Sequence, residues 1–470
     1  MQVLPCRYNV SIDPQKLYQF LLASQQNCSG KCAQIASISL AIESVDPLAV
    51  LERIAQPNQL SFYFENKERG EAIAAIDAVA QVKLAGNNRF NQAQNFIQSH
   101  LLRTSIFNTI IHPFAGPHFF CSFSFFESSA QIDYPFPAAT IFLPRWQLAR
   151  QGDRTCLVAN LCITAETNLK ASVQQLLHDI QFIILSAKLL PDFPKLRQKL
   201  LKTDVTSVEH FKQSVIYSSE LIQANYLNKI VLAHAIDVKS SNVFNLFQCL
   251  NNLRKLHPAC YVFSTSNGKG QNFIGASPER LISIHDRQLS TDALAGSISR
   301  GKTVAEDADL ANCLLHSDKE RHEHRVVIDF ITERLNELGI VPHLLPPRLR
   351  RLANIQHLWT PIQAKVPASV HPLEIVAALH PTPAVAGNSR KLACEKIRCY
   401  EKFERGLYAA PLGWVNYQGN SEFIVGIRSA LIDGDRARLY AGAGIVAGSD
   451  PERELAEVQL KLQALLKALV

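Results

Sequence analysis

The sequence predicts an α+β protein, and three observations lead there. A hydrophobic fraction of 47% beside 19% charged residues is that of a globular chain able to bury a large core. Apolar strand-like runs alternate with stretches of helical spacing, and turn signals such as Gln151-Gly152-Asp153 and Asp433-Gly434 point to hairpins. At 470 residues the chain has room for two or three ordinary domains or one large one.

The same composition narrows the function classes. No apolar run approaches the roughly 20 residues of a membrane span, and the start MQVLPCRYNVSIDPQKL lacks a basic region followed by a long apolar one. The expectation is a soluble, untargeted, cytoplasmic protein. Eleven cysteines fit reduced thiols better than a disulfide framework, and neither Cys28/Cys32 nor Cys394/Cys399 has a usual zinc spacing. A formal charge of +7 suits an anionic small substrate and equally suits weak nucleic-acid binding.

Along the first part, helical spacing covers 14–26, 88–108 and 168–187. Strand-like runs cover 59–64 and 117–126, and a hairpin is expected over 139–164. The segment 188–206, with Pro191, Pro194 and several lysines, reads as a connector. Thr206 to Glu209 then has capping-box spacing for the next helix.

In YLNKIVLAHAIDV, residues 226–238, Lys229 stands at the entrance of a strand and shares a face with Val231, Ala233 and Ala235. A strand-end lysine reaching water is the plain alternative. NFIGASPERLISI, 272–284, is two apolar runs broken at Ser277-Pro278, which places Glu279 at a bend. LSTDALAGSISRG, 289–301, runs apolar into a loop where Gly296 and Ser297 offer backbone N–H groups to an anion.

LLHSDKERHEHRVVIDFITERL, 314–335, reads as one helix crowded with His316, His322 and His324. Steps of three, four and seven from Glu323 meet Val326, Val327 and Phe330, so Glu323 lies on the apolar face and needs a cation. Val326 stands where HExxH needs its second histidine, so the histidines are expected to be exposed and uninvolved in zinc. A hard cation on carboxylate oxygen fits Glu323 better, with an ion pair to a core arginine as the competitor. PPRLRRL, 346–352, lacks a neighbouring aromatic platform and reads as an exposed loop entering a strand rather than a nucleic-acid site.

The last stretch, SEFIVGIRSALIDGDRARLYAGAGIVAGSDPERELAEVQLKLQALL, reads as hairpin, glycine loop and helix. Arg428 is expected within an apolar strand, either in a buried ion pair or reading a carboxylate with its guanidinium fork. Gly442, Gly444 and Gly448 miss the GxGxxG spacing, which argues against a dinucleotide site. Ser449 or Asp450 can cap the final helix ahead of Pro451. On that helix Glu454, Glu457 and Lys461 fall on one side beside Val458, Leu462 and Leu465, as a site or as a solvated edge with helix ion pairs.

Together KIVLAHA, FIGASPERL, DALAGSISRG, SDKERHEH, LHPTPAVAG, IRSA and YAGAGIVAGSDPERELAEVQLK resemble, in order, the chorismate-utilising enzymes, and within them the isochorismate synthases. The resemblance covers about 206–466; residues 1–205 match only loosely. It implies one large α+β unit, with two antiparallel-rich sheets packed face to face and helices outside, residues 206–470 forming the chorismate-binding catalytic region and 1–205 the rest of the sandwich. It aligns Lys229 with a general base that activates water and Glu279 with a general acid. Glu323 and Glu457 align with two Mg2+ ligands, and Glu454 with a carboxylate behind them. Gly296, Ser297, Arg428, Gly442 and Lys461 align with substrate contacts.

The reaction so implied adds hydroxyl at ring carbon 2 of chorismate and expels it from carbon 4, with no redox cofactor. The residue chemistry agrees. Glu279 must stay protonated to release the C4 hydroxyl, and Lys229 must yield its proton near neutrality to take one from water. Ammonia-using relatives that make anthranilate or aminodeoxychorismate generally lack the lysine at position 229, and the aminodeoxychorismate branch carries its own lysine where Ala295 stands. Salicylate synthases share Lys229 but resemble VTASG where this chain has HPTPAVAG at 380–387. Water as nucleophile, isochorismate as end product, no amidotransferase subunit and a monomer are therefore expected.

Overall fold

The computed structural model describes residues 13–28, 33–129, 134–187, 199–352 and 355–469. The described strands join one hydrogen-bonded network that forks at the long strand Ala139–Gln151. One edge of this strand pairs over its whole length with Glu71–Leu84. The other edge pairs first with His118–Phe123 and then with Arg154–Ile163.

Besides the short branch of Arg154–Ile163, Gln34–Ile42 and Thr104–Asn108, two long arms leave the fork. The first runs through Glu71–Leu84, Ser61–Asn66, Tyr261–Ser266, Asn272–Ser277, Ser429–Asp433, Arg436–Ile445, Ile230–Ser240 and Leu200–Asp204. The second runs through His118–Phe123, Pro411–Asn416, Ser421–Val425, Arg280–His285, Gln288–Ser299 and Ile355–Lys365. Every pairing is antiparallel except that of Gln34–Ile42 with Thr104–Asn108. The arms correspond to the two sheets implied by the resemblance, here continuous through the shared strand. Each arm starts with strands from the first 125 residues and continues with strands from beyond residue 199, and buried apolar side chains from Leu17 to Leu469 form one large cluster. Its fully buried Phe119, Phe120, Phe123, Phe263, Phe273 and Phe423 each contribute roughly 1.5–3 kcal/mol on burial.

Local signals account for many boundaries. Helix Pro14–Gln26 starts where Asp13 accepts the Gln15 N–H, and the hairpin Ala139–Gln151/Arg154–Ile163 turns at Gly152, whose φ of +58° suits glycine. Several expectations need correction. The helix over 88–108 ends at Leu101, because Thr104–Asn108 becomes a strand beside Gln34–Ile42, a partner no local pattern announces. Within the expected connector, 188–198 lie outside the described residues, while Leu200–Asp204 forms the edge strand of the first arm. The next helix, Val208–Gln223, is capped by Ser207, whose hydroxyl accepts the His210 N–H at 3.1 Å, and not by Thr206.

The single helix over 314–335 is two. Val304–His316 stops at Ser317, whose hydroxyl accepts the Glu320 N–H and starts Asp318–Glu337. His316 and His322 are exposed, but His324 is buried, with Nε2 2.8 Å from Thr360 Oγ1. Burial, its main cause, lowers the His324 pKa to about 4, so it is a neutral core residue. Among the described residues no helix is long and apolar enough to cross a membrane, and the cysteines are free.

Candidate active site

Two chain crossings between the arms build the site. Strand Asn272–Ser277 belongs to the first arm and Arg280–His285 to the second, so Ser277-Pro278-Glu279 bridges them. Pro278 supplies no N–H and ends the ladder, while the Ser277 hydroxyl donates to the Val425 carbonyl at 2.6 Å and accepts the Glu279 N–H at 3.2 Å. The return crossing is residues 426–428, between Ser421–Val425 and Ser429–Asp433. The crossings are stitched together: the Val425 N–H donates to the Glu279 carbonyl, and the Ala276 N–H to the Arg428 carbonyl, both at 3.1 Å. Glu279 and Arg428 thereby open on one cleft. Arg428 is not inside a strand, as expected, but at this corner, with a φ of +51°.

Lys229, Glu279, Gly296, Ser297, Glu323, Arg428, Gly442, Glu454, Glu457 and Lys461 all line this cleft. Lys229, directly before Ile230–Ser240, is buried, and its Nζ lies 2.6 Å from Glu323 Oε1 on helix Asp318–Glu337. Burial works to raise the Glu323 pKa, but the Lys229 charge and hydrogen bond and the Gly296 N–H outweigh it and hold the carboxyl below its ordinary value. Glu279 behaves oppositely. Burial, with help from the Asp292 charge and against that of Lys229, raises its carboxyl to about 7.

Gly296 and Ser297 do not sit in a loop. They form a bulge within strand Gln288–Ser299, where the register against Ile355–Lys365 slips between Ala295 and Ser297. Their amides are committed to carboxylates: Gly296 N–H interacts with Glu323, and Ser297 N–H donates to Glu320 Oε2 at 3.0 Å. Gly442 and Gly444 likewise belong to strand Arg436–Ile445 rather than to a glycine loop. Close approach is still their reason: a Cβ on Gly442 would stand 2.9 Å from Tyr408 Oη, and one on Gly444 3.0 Å from Lys229 Cε.

The last helix, Pro451–Leu466, starts at Asp450, which accepts the Arg453 N–H at 2.9 Å. It presents Glu454, Glu457 and Lys461 to the cleft, and Lys461 Nζ reaches Glu457 Oε1 at 2.7 Å and the Gly442 carbonyl at 2.8 Å. Sequence reasoning missed Glu320, which follows from Glu323 by one helical turn and could have been found by that spacing. It also missed His357 and Tyr408, which come from segments with no local mark of a site. The Glu320 carboxyl is raised by burial and next by the Glu323 charge. That of Glu454 is raised by burial and the Glu457 charge, against a hydrogen bond from Ser449. Burial, reinforced by Arg428 and Lys461, keeps His357 neutral.

A buried lysine, a carboxylic acid titrating near neutrality, a facing arginine and a wall of carboxylates thus share one cleft. The family model described as chorismate binding enzyme matches residues 20–470, nearly the whole chain. The chain belongs to the chorismate-binding enzymes. The enzyme is 30% identical to the isochorismate synthase MenF of Bacillus subtilis, over 93% of this chain and 94% of that protein. It is 41% identical to a salicylate biosynthesis isochorismate synthase of Pseudomonas aeruginosa, over 53% of this chain and 52% of that protein. The solved structure of MenF, the menaquinone-specific isochorismate synthase of Escherichia coli, superposes with a TM-score of 0.79 at 27% identity, covering 97% of this enzyme and 99% of that chain.

Proposed function

We propose that the enzyme converts chorismate to isochorismate, with Lys229 as the base toward water and Glu279 as the acid toward the departing hydroxyl. The observation that carries this reading is that Glu279, its carboxyl pushed up to about 7 by burial, keeps a proton to give near neutrality and shares one cleft with the buried Lys229. Water loses a proton to the Lys229 amine as its oxygen bonds ring carbon 2. The ring double bond shifts, the C4–O bond breaks, and the Glu279 proton leaves with that oxygen as water. One water enters and one departs, so no oxidant or reductant is required.

The substrate is a dianion, and the cleft has cations to meet it. Among the described residues the Arg428 guanidinium, which faces the cleft, has no carboxylate partner, so its fork is available to a substrate carboxylate. Lys461 is fastened to the Gly442 carbonyl and Glu457, which sets its charge at one point of the wall.

The carboxylates Glu320, Glu323, Glu454 and Glu457 line one cleft and offer only oxygen donors, the kind a hard divalent cation takes, and their mutual repulsion is what such a cation would relieve. Among the described residues no three His, Cys, Asp or Glu side chains are drawn together into a ready ligand shell, and Lys229 and Lys461 hold Glu323 and Glu457. Mg2+ on Glu323 and Glu457, with Glu454 behind them, would neutralise the ring carboxylate and compete with Lys229 for Glu323.

The test is a product assay with chorismate and Mg2+, with and without ammonium. Isochorismate alone, unaffected by ammonium, is the expected outcome. Salicylate with pyruvate, or an aminated ring, would replace this reading.

A further inference from the structure

Lys229 is the residue before its strand, a position where a chain end ordinarily frays, yet its backbone is held at every polar group. The Asn388 side-chain oxygen accepts the Asn228 and the Lys229 N–H groups, each at 2.9 Å, and the Asn388 N–H donates to the Lys229 carbonyl at 3.2 Å. Beyond it Ile230 bridges Gly387, and the Val231 N–H donates to the Ala386 carbonyl at 2.9 Å. Residues 386–388 therefore form a short extra edge alongside the start of strand Ile230–Ser240. The far end is fastened by a buried pair: Arg405 donates to the carbonyls of Val231 at 2.8 Å and Val385 at 2.9 Å, and Glu401 accepts the Ala233 N–H at 2.7 Å.

The use of Asn388 is informative because a local competitor exists for it. Asn388 and Ser389 immediately precede helix Arg390–Tyr400, and both are residue types that cap helices well. Neither does so: Ser389 sits at the N-cap with a φ of +54° and no side-chain cap bond, while the Asn388 oxygen turns to the two amides around Lys229. A helix end is left without its cap and a strand entrance is fixed instead. Such a local rule broken beside a site points to a demand of the site.

We propose that Asn388 is a positioning residue for Lys229, holding the backbone from which the amine must reach water at ring carbon 2. This rests on the reading of Lys229 as the base. Asn388 does not line the cleft, so it acts on the rate of the chemical step and leaves substrate affinity to Arg428 and Lys461. A displacement of about 1 Å at a reacting group is enough to cost up to roughly 100-fold.

The experiment measures kcat and KM for chorismate, with melting temperature, in Asn388→Ala and Asn388→Asp. The Ala variant is expected to lose about tenfold or more in kcat with KM changed by less than about twofold, and the Asp variant, which keeps an oxygen acceptor at the same reach, to recover most of the loss. An Ala variant with wild-type kcat, one in which only KM rises, or an Asp variant as slow as Ala would each overturn the positioning role. Lys229→Ala, assayed beside them, separates the two failures: wild-type turnover there removes the base and this inference together, whereas an inactive Lys229→Ala beside an unaffected Asn388→Ala removes the positioning role alone.

Discussion

Lys229 Nζ lies 2.6 Å from Glu323 Oε1, an ion pair that joins the first sheet arm to a helix packed on the second. The proposed base and a proposed metal ligand are thus each other's partner, and each takes up the charge the other would otherwise bury alone. Replacing Lys229 by Ala is expected to lower kcat by about 10²–10⁴-fold, the usual span for loss of a general base. Steady-state kinetics with chorismate check this, and wild-type turnover would remove Lys229 from the mechanism.

Glu279 links activity and stability to pH in the same direction. Its carboxyl titrates at about 7 in the folded enzyme against 4.5 as the ordinary value. The neutral form is favoured on folding, so this group's stabilising contribution is complete below about pH 4.5 and is lost as pH rises to about 7. The loss is on the order of 3 kcal/mol at 1.36 kcal/mol per pKa unit. Turnover should likewise fall above about pH 7 as the acid form disappears. Glu279→Gln is expected to turn over at least about 100-fold more slowly, and its melting temperature should depend less on pH between these limits.

Mg2+ dependence is tested by chelation. EDTA is expected to abolish turnover and added Mg2+ to restore it. Glu454→Gln, which alters a carboxylate behind the proposed ligands, should raise the Mg2+ concentration for half-maximal rate by about 10–100-fold. A chelated enzyme at full rate would exclude the metal.

The Arg405–Glu401 pair predicts a stability pattern. Arg405 is wholly buried, paired with Glu401, and packed with its guanidinium 4.4 Å from the Phe125 ring centroid. Arg405→Met leaves Glu401 buried without its partner and should cost about 3–5 kcal/mol in denaturant unfolding. Adding Glu401→Leu should recover a substantial part. A single variant as stable as wild type would show that the pair contributes nothing.

The histidines of helix Asp318–Glu337 and its approach should separate by burial. His316→Ala and His322→Ala are exposed changes expected within about 0.5 kcal/mol of wild type. His324→Ala loses the contact with Thr360 and should cost about 1–3 kcal/mol. Bound zinc in the wild type, lost in any of these variants, would revive a histidine metal site.

The sequence by itself determined the pieces that depend on neighbours in the chain. Helical spacing put Glu323 beside Val327 and Glu454 and Glu457 on one side of the last helix. Ser277-Pro278 marked the break before Glu279, and Asp433-Gly434 the turn of the last hairpin. Periodicity, caps and turn residues act over a few positions, so they are legible in one dimension. Tertiary structure decided what the charged groups meet beyond a local pair such as Glu457–Lys461. It turned 104–108 into a strand, buried His324 and placed Arg428 at a corner rather than in a strand. It set Gly442 and Gly444 on a strand pressed against Tyr408 and Lys229, and brought His357 to the cleft. The reason is that a carboxylate's charge state and a lysine's partner depend on burial and on groups tens to hundreds of residues away, whose approach is fixed only when the two sheet arms close on one cleft.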